Sequence, residues 1–182
     1  MRYPLSDIAG ILQVKGVFPE TLFIDQLLTD SRKLLFPERT LFFALEGPRR
    51  SGISYVAELY ARGVRCFVVN QTASLPDLPG MYCLRVPDVL EALQQLAAWH
   101  RSKFRIPVIG ITGSSGKTMV KEWLYQLLQT DEAIIRSPRS YNSQIGVPLS
   151  VWQMESAYRL AIFEAGISMP GEMIKLRAII QP

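Results

Sequence analysis

The sequence predicts an α/β fold with parallel sheets, laid out in two successive blocks. Three observations predict it: short, continuously apolar runs rich in β-branched residues, segments of helical period between them, and Pro/Gly punctuation separating the two. Strands that are apolar throughout, rather than alternating, belong in sheets covered on both faces.

In the first block, Leu41-Phe42-Phe43-Ala44-Leu45 reads as a strand, Tyr55 to Ala61 as a helix carrying Val56, Leu59 and Tyr60 and closed by Gly63, and Val64 to Val69 as a second strand. A turn-rich stretch from Gln71 to Gly80, with Pro76 and Pro79, leads to a third strand, Met81 to Val86. Pro87 and Asp88 open a long amphipathic helix in which Val89, Leu93, Leu96, Ala97 and Phe104 recur at helical intervals, with Asp88 as its N-cap. The domain boundary is placed near Arg85 to Pro87, giving blocks 1–86 and 87–182. The second block alternates: strand Pro107 to Thr112, helix Lys117 to Gln129, strand Ala133 to Arg136, helix around Pro148 to Met154, strand Tyr158 to Phe163, helix around Gly171 to Leu176.

Composition narrows the chemistry. With 48% hydrophobic residues and 20 Lys+Arg against 16 Asp+Glu in 182 residues, disorder and collagen-like repeats are excluded. Two cysteines and one histidine cannot assemble a four-ligand Cys/His zinc site, so carboxylates, lysines and backbone amides must carry any reaction. Cys66 and Cys83 lie in strand-like runs and read as reduced structural thiols. Met1 to Phe18 includes Arg2, Pro4, Asp7 and Lys15, which does not suit a secretory signal, and no stretch approaches the roughly 18 apolar residues of a membrane helix. The expected location is cytoplasmic, without membrane insertion. A net charge of +4 suits small acidic ligands as well as it suits nucleic acid, and the basic run Arg101-Ser102-Lys103-Phe104-Arg105 reads as the solvated end of a helix rather than a nucleic-acid contact. His100 is expected to be structural, and Trp99, Trp123, Tyr125 and Trp152 to serve core or interface.

The stretch Val108-Ile109-Gly110-Ile111-Thr112-Gly113-Ser114-Ser115-Gly116-Lys117-Thr118 runs from strand through a Gly/Ser loop into a helix, the context of a phosphate-binding P-loop. Phosphate oxygens need several backbone N–H donors converging on one point, and Gly113, Ser114, Ser115 and Gly116 can supply them at a helix N-terminus. Lys117 would reach the outer phosphates, and the Thr118 hydroxyl would be offered to Mg²⁺. The usual first glycine falls at Ile111, with glycines instead at 110 and 113. In a parallel sheet ligands sit beyond the carboxyl ends of the strands, which makes Glu164, directly after an apolar strand, a candidate metal ligand; a solvated strand end is the other reading.

Three segments carry a resemblance. The loop T-G-x-x-G-K-T at Thr112 to Thr118, Asn142-Ser143-Gln144-Ile145-Gly146-Val147-Pro148, and Glu164-Ala165-Gly166 through Gly171-Glu172 occur in the order found in the Mur ligases, which the chain resembles from about Leu28 to Pro182. Thr29-Asp30-Ser31-Arg32-Lys33, followed by Leu41 to Gly47, resembles that family's uridine-diphosphate-binding domain. The resemblance implies a small α/β N-terminal domain that binds a UDP-sugar-peptide, then a truncated P-loop parallel-sheet ATPase domain. It also implies ATP and Mg²⁺ as cofactors and an ATP-dependent amide-bond ligase of peptidoglycan synthesis working through an acyl phosphate. The implied substrates are UDP-N-acetylmuramoyl-tripeptide and D-alanyl-D-alanine.

Residue by residue, the resemblance implies that Lys117 and Glu164 are catalytic, that Thr118 and Glu164 hold the metal, and that Asn142 joins the loop in contacting nucleotide, metal or peptide. Ser31, Arg32 and Gly47 would meet the sugar nucleotide. Asn142 can equally be a turn residue, and Asp30-Ser31 a polar turn. Where the family often has a Gly-His-Asp-Phe-like stretch, this chain has Gly52-Ile53-Ser54-Tyr55. Family members have three domains, so the chain reads as the first domain plus part of the second, a piece expected not to ligate by itself and to expose an unpaired sheet edge. Another Mur ligase, a folate-extending ligase, or a P-loop kinase or regulatory module are the competing readings; the Asp30-Ser31-Arg32 domain argues against the last two.

Overall fold

A computed structural model describes residues 1–47 and 51–182. The chain opens with elements too short for hydrophobic periodicity to show. Strand β1 (Tyr3–Pro4) pairs antiparallel with β2 (Phe23–Ile24), and between them α1 (Leu5–Ile11) buries Leu5, Ile8 and Ala9. Then come β3 (Gln26–Leu28) and β4 (Thr40–Phe43), the latter buried at all four positions. A helical turn at Gly52–Tyr55 leads into α2 (Val56–Ala61), and β5 (Cys66–Asn70) and β6 (Tyr82–Val86) complete a four-stranded sheet of order β3-β4-β5-β6, parallel throughout.

The two cysteines occupy neighbouring strands one step out of register, Cys66 opposite Tyr82 and Phe67 opposite Cys83. Successive strand residues point to opposite faces, so the thiols are directed apart and both are free. Burial pushes the Cys66 thiol up to about 12, which leaves it an inert core group.

Asp88 caps α3 (Val89–Arg101) as the sequence predicts, its Oδ1 accepting the Glu91 N–H at 2.9 Å. The chain divides into two units, 1–93 and 94–182, and the division falls within this helix. The second unit holds β7 (Val108–Ile111), α4 (Lys117–Leu128), β8 (Ile134–Arg136), α5 (Gly146–Val151), β9 (Leu160–Glu164) and α6 (Glu172–Ile180). Its three strands are parallel in the order β7-β9-β8, so the last strand in sequence is the central one. Val147, Val151, Phe163, Leu176 and Ile179 pack into one core around them.

Two sequence expectations change. Arg101 is not part of a solvated helix end: it is buried, and its guanidinium donates to the carbonyls of Ile180 (2.8 Å), Phe104 (2.7 Å) and Gln181 (2.9 Å). A planar fork of five donors can serve the open carbonyls at the end of α6 and the turn after α3 at once. Trp123, expected in core or interface, does not lie in the core: it is 58% exposed, and Met119, Val120 and Leu127 on the same helix are exposed with it. Tyr125 is half-buried beneath the Arg136 guanidinium, and Trp152 is buried. No described helix is long and apolar enough to cross a membrane.

His100 is structural, as expected: it is buried between Phe104 and Trp152, with a ring nitrogen 3.1 Å from the Met154 carbonyl. Desolvation pushes its pKa down to about 4. An unfolded chain protonates this ring near pH 6.5, whereas the folded chain resists until about 4, so the contribution of the neutral ring to stability is present above 6.5 and lost as pH falls through that window. The melting-temperature difference between wild type and His100→Gln is expected to shrink on acidification across it; a constant difference counts against this assignment. Arg101→Ala should lower the unfolding free energy by about 1–3 kcal/mol in denaturant titration, with Arg101→Lys restoring only part because an ammonium cannot reproduce the fork.

Candidate functional site

The carboxyl end of β7 delivers the chain into the loop 112–116 and then into α4. Gly113 and Gly116 have φ of +142° and +77°, conformations that side chains disfavour, and Gly116 is the residue that turns the loop into the helix. Ile111, where the usual motif places glycine, is the last residue of β7, so extended strand geometry continues to the loop and requires no glycine there. Lys117 Nζ donates to the Gly113 carbonyl at 2.6 Å, across the mouth of the loop. The loop residues Thr112 to Gly116 are exposed.

Glu164 ends β9 in register with Ile111, the last residue of β7. It is not a solvated strand end, since it has 0% exposure. Its Oε2 accepts from Thr118 Oγ1 at 3.1 Å and from Asn142 Nδ2 at 3.4 Å. Its Oε1 lies 2.9 Å from Lys121 Nζ, an ion pair not aligned as a hydrogen bond, which leaves that buried oxygen with lone-pair capacity. Lys117, Thr118, Asn142 and Glu164 therefore converge on one sheet edge.

This donor set fits Mg²⁺ of a particular kind. A hydroxyl and a carboxylate oxygen in contact suit an ion that keeps most of its shell for water and phosphate. No group of three or more His, Cys, Asp or Glu residues able to hold a metal occurs among the described residues, so an all-protein cage is not what the chain offers. Asn142 is more than a turn residue: besides its bond to Glu164, its carbonyl accepts the Gly166 N–H at 2.8 Å. Gly166 leaves it room, because a Cβ there would stand 3.0 Å from the Asn142 side chain.

Sequence reasoning missed Lys121 and Ser137. Lys121 is fully buried, its Nζ bonded to the carbonyls of Ser137 (2.8 Å) and Arg139. Ser137, also buried, accepts the Glu164 N–H on its Oγ at 3.1 Å. The signal was in the pattern: Lys121 interrupts the stripe it forms with Leu124 and Leu128 at helical spacing, putting a charge where a core residue is expected.

In the first unit, Asp30, Ser31 and Arg32 form a turn after β3. Asp30 caps it through the Arg32 N–H (3.1 Å) and holds the exposed Arg32 side chain in a two-pronged pair at 2.9 and 2.8 Å. That pairing holds the Asp30 carboxyl below its usual range. Ser31 is buried and its carbonyl accepts from Arg62 Nη1 at 3.0 Å, so Arg62 braces the turn from α2. Gly47 follows β4, which runs parallel beside β3, and so leaves the same sheet edge. The 51–54 segment, lacking the family's polar pair, satisfies itself: Ser51 Oγ caps the Ile53 N–H and Ser54 Oγ donates to the Ser51 carbonyl.

Gly166→Ala is expected to push the Asn142 side chain off Glu164 while leaving the fold intact. The Asn142 side-chain amide resonances should shift by NMR with no change in the far-ultraviolet circular dichroism; unshifted resonances would show that the two side chains are not coupled.

Residues 111–182 match the Mur ligase middle domain. The UDP-N-acetylmuramoyl-tripeptide–D-alanyl-D-alanine ligase of Haemophilus influenzae is 33% identical over 179 residues, covering 96% of this chain and 38% of that protein. A crystal structure of MurF from Acinetobacter baumannii superposes with a TM-score of 0.88 at 30% identity, covering all of this chain and 40% of that one. MurF ligase from Thermotoga maritima, solved in complex with ADP, superposes with a TM-score of 0.73 at 27% identity over 85% of this chain and 35% of that one. The chain thus spans about two fifths of the length of the relatives it matches. A phosphate loop met by a buried strand-end carboxylate, a matching middle-domain sequence and likeness over the full chain lead to one conclusion: residues 111–182 belong to the Mur ligase middle-domain family, and the chain as a whole is similar to Mur ligases.

Proposed function

We propose that the chain forms the sugar-nucleotide anchor and the phosphate-binding portion of an ATP-dependent amide-bond ligase. That ligase joins D-alanyl-D-alanine to UDP-N-acetylmuramoyl-tripeptide in cytoplasmic peptidoglycan synthesis, contributing to cell shape and division. The observation that carries the reading is the 3.1 Å bond between the Thr118 hydroxyl and the buried Glu164 carboxylate, at the mouth of the phosphate loop. Likeness to D-alanyl-D-alanine-adding ligases over nearly the whole chain supports the choice of substrates.

The chemistry follows from the problem of making an amide from a carboxylate. A carboxylate is a poor electrophile until phosphate replaces its oxygen as leaving group, and phosphoryl transfer needs charge neutralisation and alignment more than covalent help from the protein. The loop amides of Gly113 to Gly116 cradle ATP phosphates, and Lys117 leaves the Gly113 carbonyl to neutralise them. Thr118 and Glu164 hold Mg²⁺, which when bound screens the negative charge of the transferring group. Asn142 orients Glu164 and faces the same edge. In the first unit, the Asp30-braced Arg32 and the Ser31 turn, with Gly47 at the same sheet edge, hold the uridine diphosphate. The chain alone binds substrates and does not ligate, since alignment of both reactants is what turns binding into reaction.

Calorimetric titration of the 182-residue chain tests this reading with Mg²⁺·ATP, UDP-N-acetylmuramoyl-tripeptide and UMP as ligands. Lys117→Met should weaken ATP about tenfold to a hundredfold, the worth of a charge-assisted hydrogen bond, and leave the uridine ligands untouched. Ser31→Ala with Arg32→Ala should do the reverse. ATP binding with no response to any uridine ligand would point to a generic P-loop module instead.

A further inference from the structure

Lys121 is the only residue of α4 that is buried among those described, and it is a lysine. An ammonium costs much to bury unless its three donors are met. Here the Ser137 and Arg139 carbonyls take two by hydrogen bonds, and the carboxylates of Glu164 (2.9 Å) and Glu122 (3.1 Å) stand beside the ammonium as ion-pair partners. Glu122 is held from its other side by Arg136 at 3.1 Å, and Arg136 lies over the Tyr125 ring. Ser137 ties into the same group twice, accepting Lys121 on its carbonyl and the Glu164 N–H on its hydroxyl. Backbone and carboxylate of Glu164 are thus both fixed by groups outside the phosphate loop.

An ion pair buried on both sides is a poor way to fasten a helix to a sheet, because apolar residues of similar volume do it as well or better. What an apolar residue cannot do is set the direction of a carboxylate. We propose that Lys121 is a positioning residue: by holding Glu164 Oε1 it keeps Oε2 turned toward Thr118 Oγ1, the orientation from which Glu164 serves the nucleotide-associated divalent cation. The inference rests on the nucleotide and Mg²⁺ reading of this site given above. It assigns the catalytic edge a second lysine, one turn beyond Lys117, that acts on the protein's own carboxylate while Lys117 acts on phosphate.

The test is titration of ADP into the full 182-residue chain, in Mg²⁺ and in EDTA, for wild type, Lys121→Gln and Lys121→Arg, with thermal melts of each. Glutamine keeps amide donors for the two carbonyls but carries no charge; arginine keeps the charge. Lys121→Gln is expected to lose about tenfold of the affinity that Mg²⁺ adds, the usual effect of removing a group that orients a metal ligand. Its affinity in EDTA, which depends on Lys117 and the loop amides, should match wild type, and Lys121→Arg should keep more of the Mg²⁺ effect than Lys121→Gln. An equal loss with and without Mg²⁺, no loss, or a gain in Mg²⁺ overturns the inference, as does the reverse order of the two variants. A wild-type chain with no Mg²⁺-dependent ADP binding removes the underlying reading and the inference with it, whereas wild-type binding with an unaffected Lys121→Gln removes the inference alone. Should Lys121→Gln melt below the assay temperature, Lys121→Gln/Glu164→Gln is compared with Glu164→Gln. Equal metal dependence supports action through Glu164, and a further loss in the double variant overturns it.

Discussion

The candidate site depends on one register. Because β9 lies between β7 and β8 and ends opposite Ile111, a carboxylate distant in sequence arrives beside the phosphate loop with its backbone already committed to the sheet. The N–H of Ala165 then bonds the Ile111 carbonyl at 2.8 Å, closing the pair just where the loop departs. Slipping this pairing by one residue would turn Glu164 to the other face of the sheet and take its carboxylate away from Thr118. Much of the surrounding construction, including the room at Gly166, the carbonyl of Asn142 and the hydroxyl of Ser137, serves to hold that one side chain where the strand delivers it.

The alternating elements of the second unit were legible in the sequence because each is a long apolar or amphipathic run with clear punctuation. The loop was legible for a different reason: its spacing encodes a backbone shape, and the two positive-φ glycines are where that shape demands them. The secondary structure of the first forty residues was not legible. β1, β2 and β3 are two or three residues long, and such strands are specified by their partners, not by any internal pattern. Arg101 shows a related limit, since four neighbouring polar and basic residues suggest a solvated face, and only the arrival of the α6 carbonyls from far along the chain makes the arginine a buried clamp.

Charge is handled differently in the two units. At Asp30 and Arg32 the pair is local, two residues apart and largely exposed, so it costs little and shapes only its own turn. At Arg136, Glu122, Lys121 and Glu164 the charges form a graded series from half-exposed to fully buried, with Glu122 flanked by both cations and Glu164 paired with Lys121. Arg136, and after it Lys121, holds the Glu122 carboxyl below the usual range. Such a series lets a buried charge be compensated stepwise out to solvent rather than by a single partner.

The bond between Lys117 and the Gly113 carbonyl changes what occupying the loop would mean thermodynamically. The ammonium is already partnered, so an arriving anion trades one acceptor for another and gains only the difference. A chain of linked phosphates can engage the amides with one group and the lysine with the next, so the trade turns favourable. An occupied loop would thus differ from the empty one in the acceptor of its lysine as well as in the ligand it holds.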